Sequence, residues 1–285
     1  MYCAKHAPSN MPANTATTSG LKVLFFGDIV GRDARKLVTS VVAEQKESFG
    51  PDIIIGNVEN LAHGKGITRE TIDEMFAAGF DVLTSGNHVF DRAGAEELLN
   101  DTSRALIRPI NYPRGVAGRG FCYVTIGARK VLVANAIGRA YFRENFDDPF
   151  RAMDHLLTST AHESLAAIIL DWHADATSEE RAMGFYLDGR VSAVLGTHSH
   201  IPTADAQILP GGTAYISDVG MVGAAHSMLG AKKEPMIHRM LTQLPSPYEI
   251  AEDLEMELHF VQLVIDPSTR RAISIKHFRE IRPTL

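Results

Sequence analysis

From Leu21 onward the chain repeats one unit: a short apolar run, a polar turn and a helix-spaced segment. Five of the apolar runs end in groups able to bind a ligand. Gly27-Asp28 follows Leu21–Phe26, and Asn57-Val58-Glu59-Asn60 follows Asp52–Ile55. Gly86-Asn87-His88 follows Phe80–Thr84, and Asp171-Trp172-His173 follows Ala166–Leu170. Gly196-Thr197-His198-Ser199-His200 follows Val191–Leu195. Runs this short alternate with helical spacing, as at Leu37, Val38, Val41 and Val42 within Asp33–Phe49. The pattern predicts an α/β protein with strands buried on both faces. In open α/β sheets ligands bind beyond the carboxyl ends of the strands, so the five polar ends are expected along one edge.

Further helices are expected at Arg69–Ala78, Arg92–Leu99, Pro149–Thr160 and Ser178–Leu187. An antiparallel portion completes the pattern. Phe121–Ile126 and Lys130–Ala134 read as a hairpin around Gly127-Ala128, and two strands flank Pro210-Gly211-Gly212. Glu257–Ile265 and Ala272–Phe278 are the last two strands, split by Asp266-Pro267-Ser268. Residues 1–20 lack periodicity and read as a disordered extension, with Met11 a second candidate start. Residues 21–285 read as a single domain.

A formal charge of −6 argues against a general nucleic-acid or anionic-membrane binder. No run reaches the roughly 18 apolar residues of a membrane helix. Two cysteines, Cys3 and Cys122, make no disulfide framework, which points to a reducing cytoplasm.

The polar ends admit bland roles one by one. Asp28 could cap the following helix; Asn57, Asn60 and Asn87 could form turns; His173 could be a satisfied core histidine. Glu59 has no helix to cap. His63 and Lys65, in the glycine-rich loop Ala62–Gly66, are candidates for meeting a phosphate. No GxxxxGK[ST] or GxGxxG stretch supports a nucleotide P-loop. Taken jointly, carboxylates, amides and three histidines suit a pair of borderline divalent ions about 3.5–4 Å apart, sharing a carboxylate and a hydroxide. Asp171, Asp205 and Asp218 are candidates to accept the histidines' free N–H groups.

The order Asp, Gly-Asn-His, lone His, Gly-x-His-x-His resembles that of the calcineurin-like metallophosphoesterases. Within them it is closest to the YmdB-like branch. The segments that carry the likeness are Gly27–Gly31, Glu59–Gly66, Gly86–His88, Arg108–Asn111 and the run from Gly196 to Gly223. The chain departs from the broad superfamily twice: Val30 stands where Asp-x-His would place histidine, and Glu59 replaces the bridging aspartate. Both departures are what the YmdB-like branch shows.

The resemblance implies two mixed β-sheets flanked by helices, an α/β/β/α sandwich. It implies Asp28, Glu59, Asn60 and His200 around one metal and Glu59, Asn87, His173 and His198 around the other. His88 then matches the catalytic histidine, a proton donor to the leaving oxygen as a bridging hydroxide attacks phosphorus in line. The implied substrate is a small phosphodiester, cyclic nucleotides and foremost 2′,3′-cyclic nucleotides. Iron or manganese is the implied metal, with zinc also compatible with the donor set. A second reading keeps the same pocket but makes the protein a nucleotide-sensing regulator with little turnover. Self-association is compatible with either.

Overall fold

A computed structural model describes residues 20–285. The extension expected over residues 1–20, with Cys3 and Met11, lies outside the described residues except for Gly20. In chain order the elements are β1 (Leu21–Ile29), α1 (Gly31–Ser48), β2 (Ile53–Asn57), α2 (Arg69–Ala78), β3 (Val82–Thr84) and α3 (Ala95–Asn100). Then come β4 (Phe121–Ile126), β5 (Arg129–Ile137), α4 (Pro149–Ser159), β6 (Ala167–His173), α5 (Thr177–Leu187) and β7 (Ala193–Thr197). The last are β8 (Gln207–Ile208), β9 (Ala214–Ile216), β10 (Met221–Ala224), α6 (Lys233–Thr242), β11 (Glu255–Ile265) and β12 (Ala272–Pro283).

Two mixed six-stranded sheets run β12-β11-β10-β1-β2-β3 and β4-β5-β6-β7-β9-β8. β10-β1-β2-β3 and β5-β6-β7-β9 are parallel runs; antiparallel β11 and β12 close one edge of the first sheet, whose other edge is the parallel β3, and antiparallel β4 and β8 close both edges of the second. Strand periodicity sorts the side chains into three apolar layers. Val23, Phe25, Ile53 and Ile55 meet Val131, Val133, Ile169 and Leu195 between the sheets. Their neighbours Leu24, Phe26 and Ile54 face outward onto Val38, Val41, Ile72 and Met75 of α1 and α2. Leu132, Leu170 and Trp172 of the second sheet bury Met153, Leu156, Met183 and Leu187 of α4 and α5. The result is the expected α/β/β/α order of layers.

Local chemistry sets the helix ends. Thr68 caps α2 reciprocally with Thr71, and Gly79, at φ 101°, ends it in the left-handed region. The Asp148 carboxylate caps α4 by accepting from Phe150 N and Arg151 N, with Pro149 in the first turn.

Several boundaries differ from the sequence reading. β1 continues through Asp28 to Ile29 across an irregularity between Phe26 and Asp28, and α1 starts at Gly31 behind Val30, which makes no side-chain cap. Asp28 is therefore a strand residue and caps nothing. β6 extends to His173, and the helix expected from Arg92 begins at Ala95. β10 and α6 were unforeseen. The first is four residues long, and α6 has Pro235 in its first turn and no buried residue, so no apolar stripe marks it. No described helix is long and apolar enough to cross a membrane. Cys122 is buried in β4, where burial pushes its thiol up to about 11.

Candidate metal centre

The two sheets are tied together at the carboxyl ends of their parallel strands. Asn57 Nδ2 of β2 donates to Asp171 Oδ2 at 3.0 Å across the sandwich, and Ser85 N donates to Asn135 Oδ1 at 3.2 Å. His198 N donates to Asp28 Oδ2 at 3.0 Å, joining the loop after β7 to β1. All five polar ends are thereby drawn together.

Glu59, His173 and His198 form one compact group, their ligand atoms all within 4.8 Å of one another. His173 Nε2 lies 3.3 Å from Glu59 Oε1, 3.2 Å from Asn87 Oδ1 and 3.0 Å from His198 Nδ1. Gly86 makes this possible: a Cβ there would collide with His173 Nε2 and Glu59 Oε2. Beside the group, His200 Nε2 faces Asp28 Oδ1 at 3.9 Å. Asp28 Oδ1 and Asn60 Oδ1 are buried and accept no hydrogen bond among the described residues. Buried oxygens are rarely left unpaired, because desolvation costs about 1–3 kcal/mol each. Two such oxygens beside clustered imidazole and carboxylate fit a cation-binding pocket, so the residues present suit the metal pair that the resemblance implies.

The charge pattern agrees. Burial pushes Asp28 up to about 7 despite the pull of His173. Burial alone would raise Glu59, yet the adjoining His173 holds it well below the usual carboxylate range. Burial pulls His173 down, yet Glu59, Asp28 and Asp171 together raise it to about 9, and His198 falls to about 3 through burial and the His173 charge. The pocket thus collects more ionisable donors than its own protons balance.

The histidine pair sits past the end of β7, not within it. His198 and His200 have φ of 112° and 66°, left-handed values that turn the two rings toward different partners. His198 goes to His173, and His200 goes to Asp28.

Of the carboxylates expected to hold the imidazoles, Asp171 acts one bond further out and Asp205 and Asp218 brace the surrounding loops. His173 Nδ1 is 2.9 Å from Thr197 Oγ1, which donates to Asp171 Oδ1 at 2.7 Å, so the threonine hydroxyl accepts the ring N–H. His200 Nδ1 donates to Leu229 O at 3.0 Å. Asp218 accepts from Ser199 N and Oγ, both 2.8 Å, and so shapes the loop between the histidines. Asp205 braces Thr203 and Ser217. None of the three aspartates takes a histidine N–H directly. A hydroxyl or carbonyl closer in chain or space gets there first, leaving each outer Nε2 free for the pocket.

Near Asp218 and Asp205 stands Glu180 of α5, buried, with an Oε2 that has no hydrogen-bond partner. Burial, and then Asp218 and Asp205, push its carboxyl up to about 8. Its folded value lies above the ordinary 4.5, so its contribution to stability is complete at low pH and is lost as pH rises toward 8. Glu180→Gln should match the wild type near pH 5 and exceed it at pH 8.5 by on the order of 2 kcal/mol. Urea unfolding at both pH values reads this; a gain equal at the two would refute it.

His88 lines the pocket with Glu59, Asn60, Lys65, His198 and His200. Its backbone N donates to Glu59 Oε2 at 2.9 Å, and its Nδ1 lies 2.8 Å from Asp91 Oδ2. That contact fixes the ring and leaves Nε2 for a ligand. Lys65 borders the same pocket, whereas His63 lines a separate cavity with Arg32, Arg35 and Thr68. The loop's two phosphate candidates are thus divided.

Sequence reasoning missed the parts played by Asn57, Thr197, Asp91 and two aromatic groups. Asp91 carried a faint signal, three residues beyond His88. Phe142, whose ring centroid is 4.8 Å from that of His198, and Tyr248 in the pocket lining carried none.

Two mixed sheets between helices, with oxygen and imidazole donors at their shared strand ends, define a calcineurin-like metallophosphoesterase fold. Residues 24–278 match the family described as YmdB-like protein, and the chain belongs to that family. It is 41% identical over 256 residues to the 2′,3′-cyclic-nucleotide 2′-phosphodiesterase of Bacillus subtilis (strain 168), covering 90% of this chain and 96% of the relative. The crystal structure of a hypothetical protein from Thermus thermophilus superposes with a TM-score of 0.85 at 37% identity, covering 92% of this chain and 100% of that one. A novel phosphatase from Mycoplasma pneumoniae gives a TM-score of 0.86 at 29% identity, covering 93% and 94%.

Proposed function

We propose that this protein is a dinuclear-metal-dependent phosphodiesterase that hydrolyses cyclic nucleotides, foremost 2′,3′-cyclic nucleotides. The observation that carries the reading is the Glu59–His173–His198 cluster beside the unpartnered oxygens of Asp28 and Asn60. The name of the Bacillus subtilis relative supports the substrate class.

Asp28, Glu59, Asn60 and His200 would hold one ion, and Glu59, Asn87, His173 and His198 the other. When bound, such ions supply Lewis acidity, acidifying water toward a pKa of about 7 and neutralising phosphoryl charge. The nitrogen and oxygen donors suit iron, manganese or zinc. Everything else falls to the chain. Thr197 and the Leu229 carbonyl set the tautomers of His173 and His200. His88, steadied by Asp91, gives its proton to the leaving oxygen as one ring P–O bond breaks and water's oxygen bonds to phosphorus. The product is a nucleoside monophosphate.

A pure sensor would need the pocket but no placed proton donor, so the His88–Asp91 pair favours turnover. The test is hydrolysis of 2′,3′-cyclic AMP by manganese- or iron-reconstituted protein, followed by 31P NMR. Growth of a monoester signal is expected. No turnover of any diester by the metal-loaded wild type would favour the sensing role instead.

A further inference from the structure

The pocket has a second wall that the hydrolytic chemistry does not use. Besides the ligating groups, its cavity of about 490 Å³ is bordered by Tyr248, Met228, Leu229, Met236 and Ile201. Its volume falls within the roughly 300–1,000 Å³ of small-molecule sites, which pair an apolar lining with a few polar groups. Tyr248, Leu229 and Ile201 keep 40%, 41% and 55% of their surface exposed, an open apolar face beside a charged cluster.

Most of this wall is carried by one excursion of the chain, residues 228–250, whose feet are pinned together. Lys232 N donates to Glu249 O at 2.8 Å and Ala251 N to Gly230 O at 2.9 Å. Lys232 Nζ also pairs with Glu249 Oε2 at 2.6 Å. Between the feet, α6 buries nothing and so adds no core. Its structural consequence is to stand Met236 and Tyr248 over the pocket.

Tyr248 is locked to the loop that follows Glu59. Its ring lies against Gly64, where a Cβ would come within 3.1 Å of both Cε1 and Oη. The Gly64 carbonyl accepts from Asn60 Nδ2 at 2.9 Å, so ring and metal-site amide share one support. Lys65 Nζ lies 4.8 Å from the Tyr248 centroid and makes no ion pair among the described residues. A cation that pairs with no carboxylate among the described residues thus stands over one face of an aromatic ring in the pocket lining.

We propose that Tyr248, with Met236, Met228 and Leu229, forms a nucleobase subsite, in which the base stacks against the phenol ring while the phosphate lies at the Glu59–His198 cluster. This deepens the phosphodiesterase reading and rests on it. Stacking on an aromatic side chain is tolerant of base identity, so the subsite distinguishes nucleotides from base-free diesters rather than one base from another. A base stacked on that face displaces the Lys65 ammonium from the ring and frees it for the phosphate.

Wild type, Tyr248→Leu, Tyr248→Phe and Met236→Ala are assayed on 2′,3′-cyclic AMP and on base-free 1-O-methylribose 2′,3′-cyclic phosphate. Each is also titrated calorimetrically with 3′-AMP. Tyr248→Leu should raise KM for 2′,3′-cyclic AMP about tenfold and weaken 3′-AMP binding about as much, with little change in kcat. Its kinetics on the base-free diester should move less than about twofold. Tyr248→Phe should behave as wild type, and Met236→Ala, on a helix with no buried residue, should show a smaller loss of the same kind. Equal losses on both diesters, or no loss on the nucleotide, overturn the subsite. If the wild type hydrolysed neither diester, the phosphodiesterase reading would fall. The titration would still decide the subsite, since 3′-AMP binding that is absent, or equal in wild type and Tyr248→Leu, overturns it.

Discussion

Replacing Glu59 with Gln is expected to leave a folded protein that no longer retains transition metal. Glu59 is almost fully buried, 3.3 Å from His173, and held ionised by it. Its second oxygen accepts from His88 N, so the same group faces both the histidine cluster and the Gly86–His88 segment. Removing one partner of a buried charge pair costs about 3–5 kcal/mol. A bound cation has no other carboxylate in the Glu59–His173–His198 group to replace it. Metal affinity should fall on the order of 10³-fold, and diester turnover with it. Elemental analysis of chelator-free preparations, beside a thermal melt, reads the result. A Glu59→Gln protein that still carried two ions per chain would sink the shared-ligand assignment.

The second large effect separates chemistry from metal binding. His88→Ala keeps the backbone N–H that Glu59 accepts and deletes only a partly exposed ring. The variant should hold its full metal content yet turn over diesters about 10²–10⁴-fold more slowly, the usual worth of a positioned general acid. Undiminished kcat would remove His88 from the reaction. Loss of metal together with activity would instead make it a structural prop.

Much of the site was legible because ligand chemistry is local. Gly-Asp, Asn-x-Glu-Asn, Gly-Asn-His and Gly-x-His-x-His each place donors directly after an apolar run, and the structure brings all of them to one end of the sandwich. The helper groups were not legible in the same way. Thr197 rather than Asp171 receives the His173 N–H because the two strands, β6 and β7, are paired side by side. The Leu229 carbonyl serves His200 from 29 residues away. Asp28 could be a helix cap by sequence, and only the continuation of β1 to Ile29 decides that it is not. His63 and Lys65 are two residues apart yet border different cavities, since His63 at φ 54° and Gly64 at φ 81° reverse the chain between them.

The sequence by itself determined the α/β alternation and the donor set. Both follow from periodicities of two and 3.6 and from residue types that a dry core does not tolerate without a purpose. Tertiary structure decided which donors meet. Two left-handed residues send His198 and His200 to different partners, and Asn57 joins the sheets across 114 positions of sequence. The pinned excursion of residues 228–250 brings Tyr248 into the pocket that His198 lines. These are long-range facts, set by how two sheets pack and where loops close. A one-dimensional pattern holds no distance between strand ends.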